Sequence, residues 1–82
     1  MMTVEQFKMA RAALGWSIVT LSEKSSVSVS TIKRLETEEG LIKATNANLR
    51  LIRETLEAAG IEFIGEAGDG PGVRLWAKPN RS

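Results

Sequence analysis

Neither cysteine nor histidine occurs in the 82 residues. Without cysteine there is no disulfide framework and no thiolate to hold a metal; without histidine the commonest general base and zinc ligand is also missing. Only scattered carboxylates and lysines remain for catalysis, and no pair of them is set by local spacing for acid–base work. The sequence therefore reads as a non-enzyme with no cofactor and no metal. Its apolar runs are only a few residues long, too short to cross a bilayer. The first residues also lack the charged-then-apolar order of an export signal. No membrane is involved on this expectation, and the expected location is the cytoplasm.

Apolar residues make up 43% and charged residues 26%, the balance of a globular domain and not of a disordered chain. A single domain of this length buries about 60% of its unfolded surface, so the monomer has little stability in reserve. The net charge of +1 hides a segregation along the chain. Residues 1 to 34 carry five basic and two acidic groups, residues 35 to 72 carry three basic and eight acidic, and residues 73 to 82 add three basic groups. A positive end opposite a negative middle suits approach to a polyanion by one face, although ordinary solvated faces can segregate in the same way.

Thr3 followed by Gln6 has the spacing of a capping box, so helix 1 is expected to start there. Val4, Phe7, Ala10 and Leu14 form its inward stripe, and Gly15 ends it. Ser17 caps a helix of about two turns holding Ile18 and Leu21, and Trp16 is expected to plug the corner between the two. Ser25 and Ser26 make a turn, Val27 anchors it, and Ser28 caps helix 3 with Thr31 at the capping-box position. Helix 3 is expected over Val29 to Thr37, with Ile32 and Leu35 inward and Val29, Ser30, Lys33 and Arg34 outward. Thr37 to Gly40 reads as an acidic loop, after which Leu41 and Ile42 dip to the core. Helix 4 follows a cap at Thr45 or Asn46, carries Leu49, Ile52 and Leu56 inward, and stops at Gly60. Surface ion pairs are expected between Arg50 and Glu54 and between Arg53 and Glu57.

After Gly60 the period changes to two. Ile61 to Ile64 and Val73 to Trp76 read as a hairpin around a glycine-rich turn. That turn lacks the Gly-Lys-Ser/Thr signature and the following helix of a phosphate-binding loop. A lone ribbon has unpaired edges and needs support. The alternating Ile61, Phe63, Val73 and Leu75 can pack across the helices of their own chain or against the same ribbon of a second copy. Residues 77 to 82 read as a frayed tail. The expected organisation is mainly α: a four-helix domain over residues 1–60, then a hairpin and tail over 61–82 that serve as the dimerisation element of the same domain.

Arg11, Leu14-Gly15-Trp16-Ser17, Leu21-Ser22, Val27-Ser28, Ser30-Thr31-Ile32 and Arg34-Leu35-Glu36 together resemble the Cro or XRE (xenobiotic response element) helix-turn-helix family. Helix 4 and the segment Gly70 to Leu75 resemble a branch of small bacterial regulators in that family. Two positions depart from the pattern. Ile18 stands where the family has a Gln that reaches a DNA phosphate, and Ser26 where it has a turn glycine.

The resemblance implies a sequence-specific transcriptional regulator that binds double-stranded DNA as a homodimer at a palindromic operator and acts as a repressor. It implies that Ser28, Val29, Ser30, Lys33 and Arg34 face the major groove, while Ser17, Ser28, Lys43 and Thr45 meet phosphates. Glu36 is expected to be structural, holding a cation such as Arg11. The alternative is a protein-binding module of antiactivator or antitoxin type that uses the Ile18 side and the acidic middle.

Overall fold

A hydroxyl stands at the start of every helix in the computed structural model, which describes residues 2–76. Five helices, α1 (Val4–Leu14), α2 (Ile18–Ser25), α3 (Val29–Leu35), α4 (Glu38–Lys43) and α5 (Asn46–Ala58), precede strands β1 (Ile61–Ile64) and β2 (Gly72–Leu75). Their caps are Thr3, Ser17, Ser28, Thr37 and Thr45, each accepting from the backbone N–H three residues on. First-turn amides have no partner inside a helix, so each hydroxyl replaces a bond that the helix itself cannot make. The complete capping box occurs at α1, where the Gln6 side chain also accepts from the Thr3 N–H.

The chain is mainly helical with a C-terminal antiparallel hairpin, as expected, and contains one helix more than the sequence suggested. Glu38 to Gly40, expected to lie in an acidic loop over Thr37 to Gly40, instead open α4. Thr37 is extended at φ −123°, ψ 152° and accepts from the Gly40 N–H. It therefore starts a helix instead of closing α3, which ends at Leu35. Gly40 is present for room: a Cβ there would collide with the Arg34 carbonyl. Ile42, expected to dip inward, is 81% exposed, because this short helix turns only Leu41 toward the core.

Phe7, Ala10, Leu21, Val27, Ile32, Leu35, Ile52, Leu56 and Ile61 make the buried core, drawn from α1, α2, the turn after it, α3, α5 and β1. Trp16 is half-buried against this core at the corner of α1 and α2, and the Lys24 ammonium lies 5.3 Å from its ring centroid. Arg53 and Glu57 pair at 3.1 Å, whereas Arg50 and Glu54 do not form the expected ion pair.

The hairpin pairs Ile61 with Leu75, Glu62 with Arg74, Phe63 with Val73, and Ile64 with Gly72. It leans on its own helices, β2 on α1 and β1 on α5. Gln6 fixes it in place: the buried amide donates from Nε2 to the carbonyls of Ile64 and Gly72, both at 3.0 Å. The tail expected over residues 77–82 lies outside the described residues.

Candidate nucleic-acid interface

Ser26 holds the turn between α2 and α3 at φ 66°, the one non-glycine positive φ among the described residues. Its N–H donates to the Ser22 carbonyl, completing the C-terminus of α2. Ser25 and Val27 are buried on either side, and the Ser25 hydroxyl accepts from the Val27 N–H at 3.2 Å. Two short helices joined so tightly must cross steeply, which leaves the start and outer face of the second free of the body.

The far end of α3 is fixed by Glu36. Its carboxylate accepts from Arg11 Nε at 2.7 Å and from Arg11 Nη2 at 3.1 Å, while Arg11 Nη1 donates to the Trp16 carbonyl at 3.0 Å. Hydrogen bonding to Glu36 raises the Arg11 guanidinium above its ordinary range, with the carboxylate charge adding to this and desolvation opposing it. The expected structural role of Glu36 is therefore met, and its charge is kept from the outer face.

That outer face carries Ser30, Lys33 and Arg34, all exposed, with Val29 half-buried at its start. Lys33 has no hydrogen-bond or ion-pair partner among the described residues. Arg34, Lys43 and Thr45 meet in one recess bounded by the ends of α3 and α4 and the start of α5. Thr31, Thr37, Glu39 and Asn48 line the same recess. Thr31 and Asn48 were absent from the expected set: Thr31 sits at a spacing that reads as a cap, and Asn48 is placed there only by the crossing of α5. The Lys43 ammonium lies 3.8 Å from Glu39, and both side chains are largely in solvent.

Ser17 and Ser28 are exposed caps with little left to offer a ligand. The Ser17 hydroxyl accepts from the Thr20 N–H and donates to Thr20 Oγ1, both at 3.0 Å. The Ser28 hydroxyl accepts from the Thr31 N–H at 3.2 Å and donates to Thr31 Oγ1 at 2.9 Å. A hydroxyl has one hydrogen, so neither serine can donate to a phosphate without abandoning its threonine. Ile18 is half-buried and packs against the core.

Of the residues expected at a dimer contact, Ile61 is 1% exposed within its own chain, and Phe63 and Val73 are half-buried against the same core. They share one face of the ribbon with Leu75, which is 46% exposed. On the opposite face, Glu62 Oε1 accepts from Arg74 Nη1 at 3.1 Å and from Trp76 Nε1 at 3.0 Å.

No helix among the described residues is long and apolar enough to cross a membrane. No curated protein and no solved structure matches the chain. A family described as helix-turn-helix matches residues 7–60, a span that starts inside α1, covers α2 to α5, and ends at the glycine before β1. With the steep α2–α3 turn and the exposed outer face of α3, this match identifies the chain as a member of the Cro-type, or XRE, helix-turn-helix family of DNA-binding regulators.

Proposed function

We propose that the protein is a cytoplasmic transcriptional repressor that occupies a palindromic operator as a homodimer. The observation that carries this is the outer face of α3, where Ser30, Lys33 and Arg34 are exposed together and the nearest α3-capping carboxylate, Glu36, is bound to Arg11. A face of donors without an acceptor charge suits the acceptor-rich edge of guanine, and Val29 at its start suits a thymine methyl.

Phosphates are met on either side of that helix. The first amides of α2, at Ile18 and Val19, have no partner within the described residues and can receive a phosphate oxygen, which replaces the missing glutamine side chain. Lys43 and the start of α5 at Thr45 do the same across the recess.

A single short helix reads too few base pairs to select a site, so two copies are required on half-sites about 34 Å apart. The hairpin supplies the contact between copies, with the exposed Leu75 as its centre. Repression follows from occupying DNA that the transcription machinery needs. The test is a gel-shift titration on the upstream region of its own gene, wild type against Lys33→Ala/Arg34→Ala. The double variant is expected to lose at least tenfold in affinity; equal binding by both proteins sinks the assignment of the reading face.

A further inference from the structure

We propose that Thr31 is the positioning residue that determines which base edge Arg34 reads, and that this edge belongs to a guanine. The proposal rests on α3 entering the major groove as described above. Its basis is the direction of each hydrogen bond along one row of the helix. Ser28 Oγ donates to Thr31 Oγ1 at 2.9 Å, and Arg34 Nη2 donates to the same oxygen at 3.2 Å. A hydroxyl oxygen accepts two such bonds, so both lone pairs of Thr31 are filled from within the protein.

Two consequences follow. Thr31 retains only its own hydrogen, and no described residue accepts it. Arg34 has given one N–H to Thr31, and the rest of its five-donor fork, enough for two parallel bonds, is left for a ligand. Facing outward, the row Thr31–Arg34 therefore carries donors and no acceptor. Guanine presents O6 and N7, both acceptors, on its major-groove edge; adenine presents one donor beside its acceptor, and cytosine presents a donor. Thymine presents one acceptor, O4, beside a methyl, so the row meets a paired set of acceptors only on guanine.

The hydroxyl also decides where Arg34 points. Arg34 is exposed on a long flexible stem, and Glu39 lines the same recess. Without the bond to Thr31, the guanidinium is free to turn toward that carboxylate and away from a base. Thr31 is half-buried, held by its own N–H to Ser28 Oγ at 3.2 Å, and so is a fixed point against which the arginine is set.

The experiment uses a duplex selected by the wild-type protein from a random library, with each guanine replaced in turn by 7-deazaguanine, which lacks the N7 acceptor. Binding is read by fluorescence anisotropy at fixed salt. Wild type is expected to weaken about tenfold at one guanine per half-site, within the range for loss of a good base contact. Thr31→Val, which keeps the β-branched shape and removes the hydroxyl, is expected to bind the normal and modified duplexes within about twofold of each other. Thr31→Ser is expected to restore the wild-type difference. Thermal melts of all three proteins check that α3 remains folded.

The proposal is overturned if Thr31→Val retains the full 7-deazaguanine effect, or if no guanine position shows one. It is also overturned if Thr31→Val and Thr31→Ser weaken every duplex alike, since that marks a helix prop. Failure of the underlying DNA reading looks different: wild type then shows no salt-dependent binding to any selected duplex.

Discussion

Arg11 and Glu36 stand 25 residues apart and meet in a two-pronged ion pair, Nε to Oε2 at 2.7 Å and Nη2 to Oε1 at 3.1 Å. Arg11 comes from the last turn of α1 and Glu36 caps the end of α3, while the third arm of the guanidinium reaches the Trp16 carbonyl at the α1–α2 corner. One side chain thus sets three helices relative to one another. The pair is mostly out of water, with side chains 24% and 11% exposed, so removing one partner leaves a poorly solvated charge. Arg11→Ala is expected to lose about 2–3 kcal/mol in urea denaturation, somewhat less than for a fully buried pair. Arg11→Met/Glu36→Leu is expected to recover part of that loss, because no orphan charge then remains. A double variant no more stable than Arg11→Ala would overturn this account.

Ser26 gives a prediction of opposite sign. Its φ of 66° costs an L-residue about 1–2 kcal/mol that glycine does not incur, against about 0.5–1 kcal/mol of extra chain entropy lost by glycine on folding. The difference favours glycine. Ser26→Gly is expected to raise stability by about 0.5–1 kcal/mol without changing DNA affinity, since the side chain is exposed and makes no hydrogen bond. An unchanged or lowered melting temperature would count against it.

Gln6 carries the hairpin. Gln6→Glu keeps the oxygen that accepts from the Thr3 N–H but replaces the amide donors with a carboxylate facing the Ile64 and Gly72 carbonyls at a site 1% exposed. Burial beside two acceptors disfavours the charge, so the folded-state pKa of the new glutamate is expected to lie above its unfolded value near 4.3. The sign then follows: the unfolded chain releases its proton first, and the variant loses stability as pH rises above about 4. A deficit of about 2–4 kcal/mol is expected at neutral pH, shrinking in acid. A denaturation series from pH 4 to 7 that runs parallel to wild type would contradict it.

Leu75 tests the dimer. With Ile61, Phe63 and Val73 already committed to the chain's own core, Leu75 is the member of that face left for a second copy. Leu75→Glu is expected to halve the mass seen by sedimentation equilibrium and to weaken operator binding at least tenfold, with little change in helix content. A wild-type protein that binds its operator as a monomer would remove the need for the contact.

Much of this was legible in the sequence because short polar residues mark helix starts. Thr3, Ser17, Ser28 and Thr45 each lie before an apolar period of three and four, and each is a cap in the structure. α4 was missed because Glu38-Glu39-Gly40 has the composition of a loop and glycine is the usual stop. Here Gly40 lets the first turn of α4 approach the Arg34 carbonyl, a packing fact with no local signature. The outward face of α3 followed from its period. The recess that joins Arg34 to Lys43, Thr45 and Asn48 needed the α3–α4–α5 crossing, which no spacing in one dimension encodes.

The recess also contains an acidic group, Glu39, that would work against a phosphate there. Glu39 lines it beside Arg34 and lies 3.8 Å from Lys43, but with side chains 84% and 74% exposed the pair contributes little to folding. Toward DNA its effect is larger, because a phosphate arriving at Lys43 meets the repulsion of a carboxylate one helical turn away. Glu39→Gln is therefore expected to tighten operator binding about two- to fivefold at 0.1 M salt, where the Debye length is about 10 Å, and to leave the melting temperature unchanged. Lys43→Gln is expected to do the reverse, lowering affinity for specific and random duplexes alike and reducing the slope of log affinity against log salt by about 0.9, the loss of one phosphate contact. If both substitutions leave the salt slope and affinity untouched, DNA does not pass over this recess, and the phosphate path must instead follow the amides at the start of α2.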